Sequence, residues 1–393
     1  MNEIENNLEA EEVLARLDER LNLEFENVDG EKRLIAHKGY ASKHLSEIER
    51  FVKSIEVGWK GGFIEESTRY SKIKKIKTLY LGKKFYRSVN HWLEHYSEVH
   101  RYSTRVDAFY DVCKHLGLIG YPFEFGEPGA IVGANGLRYM DVFNRLIDEV
   151  RVRCQSREFK ERERLRLESA KKNASNALAL EEAMFSPERG RSRWLVIFLS
   201  FSYKSKFRRW ITLDDVQRHR ERFFAAKKFN KLVSGIKNFV WKIEQGEKSG
   251  FHLHMVLFYS AEYNHDVSIA RQLGDYWENV VTKGKGDYHN SNADARNGVY
   301  DFRGFGVAVG QVNWNDTRKR AALRKLLKYL AKAEQYLLIK TAGNMHTFGM
   351  GELPGKVKSG RPRVASTTSD SNDAEGSDES IQDSQRIAAD KMF

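Results

Sequence analysis

The sequence contains only two cysteines, Cys113 and Cys154, among 393 residues. Two thiols cannot form a disulfide framework or a cysteine-based zinc site, so we expect a protein of the reducing cytoplasm. Long apolar runs are also missing, because the longest, from Trp194 to Phe201, is much shorter than the roughly 20 residues that cross a bilayer. The acidic N-terminus has no basic n-region and no apolar h-region, so we expect neither a secretory signal nor a membrane partner.

The chain has an excess of positive charge. It carries 66 Lys and Arg against 54 Asp and Glu, and its hydrophobic share of 41% is that of a folded protein. Residues 365–393 oppose this trend, with seven acidic and two basic side chains. The rest of the chain is therefore strongly basic, which favours a partner with a phosphate backbone. Anionic membranes attract the same charge, so composition alone does not identify the partner.

Composition divides the chain into three regions. Residues 1–185 have apolar side chains mostly at helical spacing, which predicts a mostly helical N-terminal region with a candidate role in DNA recognition. Residues 186–354 alternate between segments typical of strands and of helices, which predicts an α+β domain. Residues 355–393 are rich in Ser, Asp and Gly and have few apolar side chains, which predicts a disordered acidic tail.

Within the α+β domain, aliphatic and aromatic runs predict strands, and helical periodicity predicts helices. The strands are predicted at 194–203, 236–244, 251–260 and 305–312, and the helices at 267–281 and 317–340. The turn sequence QGEKSG joins the second and third strands, so these two should form a hairpin. Thr212-x-x-Asp215 has the pattern of a capping box and predicts the start of another helix.

Two histidines lie two residues apart in the predicted strand 251–260. Because side chains alternate along a strand, His252 and His254 should share one face. If the turn is symmetrical about Lys248, Glu244 lies opposite His252 on that face. Two imidazoles and one carboxylate suit a divalent cation such as Mn²⁺ or Mg²⁺ and leave positions open for a substrate oxygen. The alternative is that these are ordinary half-buried histidines and that Glu244 pairs with a nearby cation.

The predicted helix 317–340 carries a second group of candidate reactive side chains. Tyr329, Lys332 and Tyr336 have the spacing i, i+3 and i+7, which places all three on one helix face. A tyrosine is a competent covalent nucleophile when a metal or a cation stabilises its phenolate. The same spacing is also typical of a helix whose aromatic residues pack against a sheet, and both interpretations remain open.

Taken together, these residues resemble the HUH endonuclease superfamily. The match consists of Glu244 on one strand, His252-Leu253-His254 on the next and Tyr329-x-x-Lys332 on a later helix. Within the superfamily the chain looks most like the replication initiation proteins of filamentous phages, the inovirus-type gene II proteins. LKYLAKAEQYL and HTFGMGELP carry that similarity. The resemblance covers roughly 194–352, is weaker over 30–180 and does not include the tail.

The resemblance implies an HUH catalytic domain over 186–354, with a five-stranded antiparallel sheet flanked by helices and 194–203 as its central strand. It implies a metal-dependent nickase that starts rolling-circle replication and later rejoins the strand. The metal ligands would be Glu244, His252 and His254. Tyr329 would form a 5′-phosphotyrosyl intermediate, Lys332 would neutralise developing charge, and Tyr336 would be a candidate second nucleophile.

The resemblance also implies partners and a cellular location. The DNA partner would be a single-stranded or supercoiled origin, and a polymerase would extend the free 3′ hydroxyl. No Walker A pattern occurs in the sequence, so a helicase of the bacterial host would unwind the duplex. The protein would then function in the cytoplasm of that host.

Cations interleaved with aromatic residues suit single-stranded DNA, because bases stack on the rings and phosphates pair with the cations. The candidate DNA-binding residues are Tyr203, Lys204, Lys206, Phe207, Arg208, Arg209 and Trp210 after the first predicted strand, and Arg324 and Lys328 on the predicted nucleophile helix. An ordinary basic loop and an ordinary exposed helix have similar compositions, so this interpretation stays open.

His91-Trp-Leu-Glu94-His95 matches the H-x-x-E-H pattern of inverted zinc metalloproteases. On a helix it would place both histidines on one face with a glutamate beside them. Chance matches to so short a pattern are frequent, and a basic, aromatic chain is an unusual peptidase. We therefore assign no peptidase function to it.

Two other functions remain compatible with the sequence. A transposase or relaxase would use the same chemistry, and only the dependence of phage or plasmid replication on the gene would separate it from an initiator. A non-catalytic DNA-binding protein with structural histidines would bind DNA with strong salt dependence but would not nick it when Mn²⁺ is added.

Overall fold

The computed structural model describes residues 24–28, 31–35, 42–67, 74–98, 100–120, 123–133, 136–246, 250–262, 264–298, 306–331, 337–339 and 346–356. The α-helices of this part are α1 (Ser42–Glu56), α2 (Tyr80–Phe85), α3 (Val89–Glu94), α4 (Thr104–His115), α5 (Tyr139–Gln155), α6 (Arg157–Phe185), α7 (Ser205–Arg208), α8 (Leu213–Ala225), α9 (Lys231–Ser234), α10 (Asp266–Tyr276), α11 (Ser291–Arg296) and α12 (Thr317–Ala331). Within these ranges, every helix is too short or too polar to cross a lipid bilayer.

The strands are distributed among these helices along the chain. They are β1 (Glu24–Val28), β2 (Glu31–Ile35), β3 (Phe63–Ser67), β4 (Lys74–Thr78), β5 (His100–Tyr102), β6 (Arg193–Tyr203), β7 (Ile236–Gly246), β8 (Gly250–Tyr259), β9 (Gly286–Asn290), β10 (Gly310–Asn313), β11 (Leu337–Ile339) and β12 (Phe348–Met350). The α+β fold class predicted from the sequence is confirmed.

The N-terminal region has a hydrophobic core of its own, formed mainly by α1, α4 and α5. Aromatic rings fill it: Phe51 lies 5.6 Å from Trp92, 6.0 Å from Phe109 and 6.0 Å from Phe143, between ring centroids. Such edge-to-face and offset pairs add to the stabilisation from burial itself. The apolar residues at helical spacing in this region are therefore core positions.

Helix α6 connects this core with the next one. Ser156 has an extended backbone with ψ 147° and separates α5 from α6. Its hydroxyl accepts a hydrogen bond from the amide of Phe159 at 3.2 Å, which caps α6. Phe159 belongs to the first core, whereas Leu180 and Phe185 at the other end of α6 belong to the second.

The second region is built on an antiparallel sheet. In the described residues this sheet has six strands. Five of them follow the order β10-β6-β8-β7-β12, and the sixth, β9, pairs with the part of β6 that comes after the residues paired with β10. Five strands were expected. The segment of β9 lacks the long apolar run that marks β6 and β8, and the sequence did not predict it as a strand. β6 is paired along both of its edges, as expected for a central strand.

The two faces of the sheet bury different cores. Leu195, Ile197 and Leu199 of β6 face one core, which α8 and α10 cover. Val196 and Phe198 face the other, to which α6 and α12 contribute. Because side chains alternate along a strand, a residue's position in β6 or β8 decides which helices it meets.

Helix α12 is shorter than predicted. The sequence predicts a helix over 317–340, but α12 ends at Ala331, and Leu337–Ile339 forms β11. β11 pairs with β5 of the N-terminal region, with Leu337 opposite Tyr102. A short apolar run suits a strand as well as a helix, and here the available edge of β5 decides between them. The predicted disordered tail lies outside the described residues from 357 onward.

An ion-pair cluster attaches α12 to α6. The carboxylate of Glu181 is fully buried and accepts hydrogen bonds from Nε of Arg320 and Nε of Arg324, both at 2.7 Å. Both guanidinium groups also bind Glu182, whose side chain is 62% exposed. Glu181 is therefore the buried centre of the cluster and Glu182 its exposed edge.

We expect Glu181→Ala to lower the free energy of unfolding by about 3 kcal/mol, because it leaves two guanidinium groups without their buried carboxylate. Glu182→Ala is the matched control and should cost less than about 1 kcal/mol, since exposed ion pairs contribute little. Urea unfolding followed by circular dichroism measures both. Equal losses in the two variants would show that burial of Glu181 does not control the strength of the cluster.

Candidate functional site

The β7–β8 hairpin brings the predicted metal ligands together. Glu244 lies directly opposite His252, and Lys242 lies directly opposite His254. This register is the one that a turn symmetrical about Lys248 predicts. Opposite residues of an antiparallel pair share one face, so Glu244, His252 and His254 lie on the same side of the sheet. That side is the one covered by α12, because Val256 and Phe258 of β8 belong to its core.

The three side chains are buried and close to one another. His254 is fully buried, His252 is 4% exposed and Glu244 is 9% exposed. Oε2 of Glu244 lies 3.3 Å from Nε2 of His254. The two imidazole rings are nearly parallel, at 11°, with their centroids 6.2 Å apart. A carboxylate and two imidazoles thus share a water-poor environment, in which electrostatic interactions are strong.

Ser200 orients one of these imidazoles and was not identified from the sequence. It lies opposite His254 on β6, and its Oγ is 2.8 Å from Nδ1 of His254. When Nδ1 carries the hydrogen and donates it to Ser200, the lone pair of Nε2 is directed towards Glu244. Metal-binding histidines are commonly fixed in this way by a partner on their other nitrogen. The available signal was a hydroxyl within the apolar run WLVIFLSFSY.

One carboxylate and two imidazoles are ligand types that fit a hard or intermediate divalent cation. Nε2 of His254 is a buried nitrogen that makes no hydrogen bond within the described residues, as expected of a position that could bind an ion. The spacing of the three side chains is wider than that of a closed site. Among the described residues, one ligand atom from each of His91, Glu94 and His95 lies within 4.8 Å of the others, and no such group includes Glu244. Binding of one ion at the hairpin therefore requires movement of its side chains.

Lys242 is a second residue that the sequence analysis missed. It is 5% exposed and lies on the same sheet face as His254, since the two are directly opposite. A buried ammonium weakens the binding of a nearby cation but attracts a phosphate. The spacing Lys242-x-Glu244 on a strand was the signal, because residues two apart share a face.

Tyr329 lies on α12 over the same face of the sheet. It is 4% exposed and belongs to the core that includes Val256 and Phe258. Both interpretations from the sequence are compatible with this position, since Tyr329 packs against the sheet and also lies over the face that bears His254. Lys332 and Tyr336 lie outside the described residues. Their predicted place on one helix face with Tyr329 therefore stays a prediction.

The predicted stacking role of Tyr203 is wrong in this conformation. Its ring is 1% exposed and lies in the core on the opposite face of the sheet, because it is an odd-numbered residue of β6, like Leu199. Its hydroxyl lies 2.8 Å from Nδ1 of His219, and burial raises the pKa of the phenol. The ring has no face available for a base.

The other candidates in this loop are accessible to different degrees. Their contacts are Lys204 with Glu278 at 2.7 Å, Lys206 over the Phe207 ring at 5.0 Å, and Nε of Arg208 with the carbonyl of Tyr203 at 2.8 Å. Trp210 is 67% exposed, and the guanidinium of Arg209 lies 4.7 Å from its ring centroid. An exposed indole beside a cation is compatible with the predicted contact to single-stranded DNA, which stays a prediction.

The two candidate DNA-binding residues on α12 also differ in their accessibility. Arg324 belongs to the ion-pair cluster with Glu181 and Glu182, and its side chain is 43% exposed, so its predicted DNA contact stays a prediction beside this structural role. Lys328 is exposed and remains a candidate for contact with a phosphate.

The described site therefore consists of a buried carboxylate and two buried imidazoles on one sheet face, a serine and a lysine beside them, and a tyrosine on the covering helix. An exposed Arg209–Trp210 pair follows the central strand. Comparisons of the chain with protein-family models, with curated proteins and with solved structures find no match.

Proposed function

We propose that the protein is a metal-dependent, site-specific single-strand DNA endonuclease of the HUH type that initiates rolling-circle replication. The observation that supports this most directly is the hairpin register, which pairs Glu244 with His252 and places His254 on the same buried face. The position of Tyr329 over that face adds a candidate nucleophile. The basic composition adds the expected affinity for a phosphate backbone.

Glu244, His252 and His254 would hold a Mn²⁺ or Mg²⁺ ion. When bound, such an ion polarises a non-bridging oxygen of the scissile phosphate. Ser200 keeps the His254 ring in orientation through the contact at Nδ1. Lys242, buried on the same face, contributes positive charge where negative charge develops on the phosphate.

Tyr329 would supply the nucleophile. The hydroxyl would lose its proton to solvent and its oxygen would form a bond to phosphorus, while the bond from phosphorus to the 3′ oxygen breaks. The 3′ oxygen would leave with the electron pair and take up a proton from solvent. The products are a 5′-phosphotyrosyl enzyme and a free 3′ hydroxyl. Rejoining is the reverse reaction and needs no external energy source, because the phosphodiester energy is kept in the covalent bond. Since Tyr329 is 4% exposed, its hydroxyl must become accessible to the DNA strand for this attack.

The surroundings of the site fit a single-stranded substrate. Trp210 and Arg209 would stack on a base beyond the end of β6, and Lys328 would contact a phosphate along α12. Lys332 would neutralise charge at the phenolate, and a host helicase and polymerase in the bacterial cytoplasm would complete replication. These roles depend on the proposed chemistry.

Incubation with labelled supercoiled and single-stranded phage origin DNA, with Mn²⁺ or Mg²⁺, tests the proposal. Denaturing gels should show a nicked strand and a protein–DNA adduct that resists heat and detergent. The packing of Tyr329 in the core favours the alternative of a non-catalytic DNA-binding protein, which would bind with strong salt dependence and give neither product. A transposase or relaxase would give the same adduct, and loss of phage or plasmid replication on deletion of the gene separates an initiator from these.

A further inference from the structure

A second group of ligating side chains lies in the N-terminal region. His91 and Glu94 are on α3, and His95 follows directly after its last residue. One ligand atom from each of the three lies within 4.8 Å of the other two. The spacing i, i+3 and i+4 explains this proximity, because these positions are neighbours on a helix surface. His91 and Glu94 are exposed, so an ion can reach them from solvent.

The end of α3 fixes which nitrogen of His95 can bind an ion. The backbone N–H of His95 donates to the carbonyl of Leu93, and Nδ1 of the His95 ring lies 2.8 Å from the carbonyl oxygen of His91. A carbonyl oxygen only accepts, so Nδ1 carries the hydrogen and Nε2 carries the lone pair. Donation of the other ring nitrogen to a backbone carbonyl is a frequent feature of histidines that bind metals.

A third imidazole closes the buried side of the group. The ring of His44, from α1, lies 4.9 Å from that of His95 and 6.0 Å from that of His91, between centroids. His44 is 4% exposed, so its imidazole lies on the buried side of the three proposed ligands.

We propose that His91, Glu94 and His95 bind a divalent transition-metal ion of the zinc class, with water in the remaining position. Two imidazole nitrogens and one carboxylate oxygen are a frequent donor set for Zn²⁺, which prefers nitrogen more strongly than Mg²⁺ does. The site is separate in sequence from Glu244, His252 and His254, and it does not depend on the proposed nickase activity.

The bound ion would stabilise the N-terminal core. Trp92 lies between the two histidines in sequence, is fully buried, and donates from Nε1 to Oε2 of Glu47 on α1 at 3.1 Å. An ion that joins His91 to His95 therefore fixes the helix turn that carries this core residue. Metal that binds only the folded state adds its binding free energy to folding.

The test uses the full chain with His252→Ala and His254→Ala as background, so that the hairpin cannot contribute. After treatment with a chelator and desalting, calorimetry with Zn²⁺ should show one ion bound per chain. His91→Ala with His95→Ala should weaken this binding at least about tenfold. His115→Ala, at an exposed histidine of α4 in the same region, should leave it unchanged.

Two further readouts identify the ligands. Co²⁺ used as a probe should give visible absorption bands typical of nitrogen and oxygen ligands, and the double variant should lose them, whereas His115→Ala should keep them. Zn²⁺ should raise the melting temperature only when His91 and His95 are present. Equal Zn²⁺ affinity and the same Co²⁺ spectrum in the double variant would overturn the proposal. If the double variant does not fold, the single variant His91→Gln, at an exposed position, replaces it. It should bind Zn²⁺ more weakly and lose the Co²⁺ bands, and unchanged affinity with an unchanged spectrum would overturn the proposal.

Discussion

Replacement of both His252 and His254 with alanine is expected to abolish nicking and adduct formation while DNA binding persists. The two imidazoles are the nitrogen donors of the proposed metal site, and without them a phosphate oxygen is no longer polarised. Binding should be largely retained because phosphate contacts are spread over many cations, and it should remain strongly dependent on salt. Denaturing gels measure the first effect, and fluorescence anisotropy across a salt series measures the second.

His219→Ala is the matched control for this variant. His219 is a half-buried imidazole of the same domain, but it contacts Tyr203 in the core on the opposite face of the sheet. Its loss should leave nicking intact. Ser200→Ala should keep all three metal ligands yet weaken metal affinity about tenfold or more, because it removes the contact that orients His254. Glu244→Ala should be partly rescued by excess Mn²⁺. Full nicking activity in the double-histidine variant would refute the metal assignment.

Features that depend on neighbouring residues in the sequence were predicted well. The capping box is present, with Oγ1 of Thr212 accepting from the amide of Asp215 at 3.2 Å and Asp215 accepting from the amide of Thr212 at 2.9 Å. The hairpin register also follows from local rules, since the turn length fixes which residues face each other. Glu244 and His252 could therefore be paired before any tertiary structure was known.

Features that depend on distant partners were not predicted. The strand at Leu337–Ile339 forms against β5, which is more than 200 residues earlier in the chain, and no periodicity within the segment contains that information. The ion pair of Arg324 with the buried carboxylate of Glu181 was not predicted either, because Glu181 is on the distant helix α6. Tyr203 was assigned to a DNA surface by composition, whereas strand alternation decides its face, and that face is covered by α8.

Replacement of Tyr329 with phenylalanine is expected to remove both nicking and the covalent adduct, because the hydroxyl is the reacting group. The ring should keep its packing against the sheet, so the free energy of unfolding should change by only about 1 kcal/mol. Tyr336→Phe is the matched control and should still nick. Tyr329 lies over the sheet face that bears His254, whereas Leu337, which follows Tyr336, pairs with Tyr102 of the N-terminal region, and we expect Tyr329 to be the nucleophile for this reason.

Mass spectrometry of the protease-digested adduct identifies the attacking residue directly. A phosphotyrosyl peptide modified at Tyr329 is the expected result, and modification at both tyrosines would mean that two nucleophiles alternate during initiation and rejoining. Modification at Tyr336 alone would contradict the assignment, and Tyr329 would then be a packing residue of the core. Tyr329→Phe and Tyr336→Phe each remove one oxygen atom from the natural chain. A Tyr329→Phe protein that is stably folded and binds DNA but forms no adduct has therefore lost the nucleophile and kept the fold.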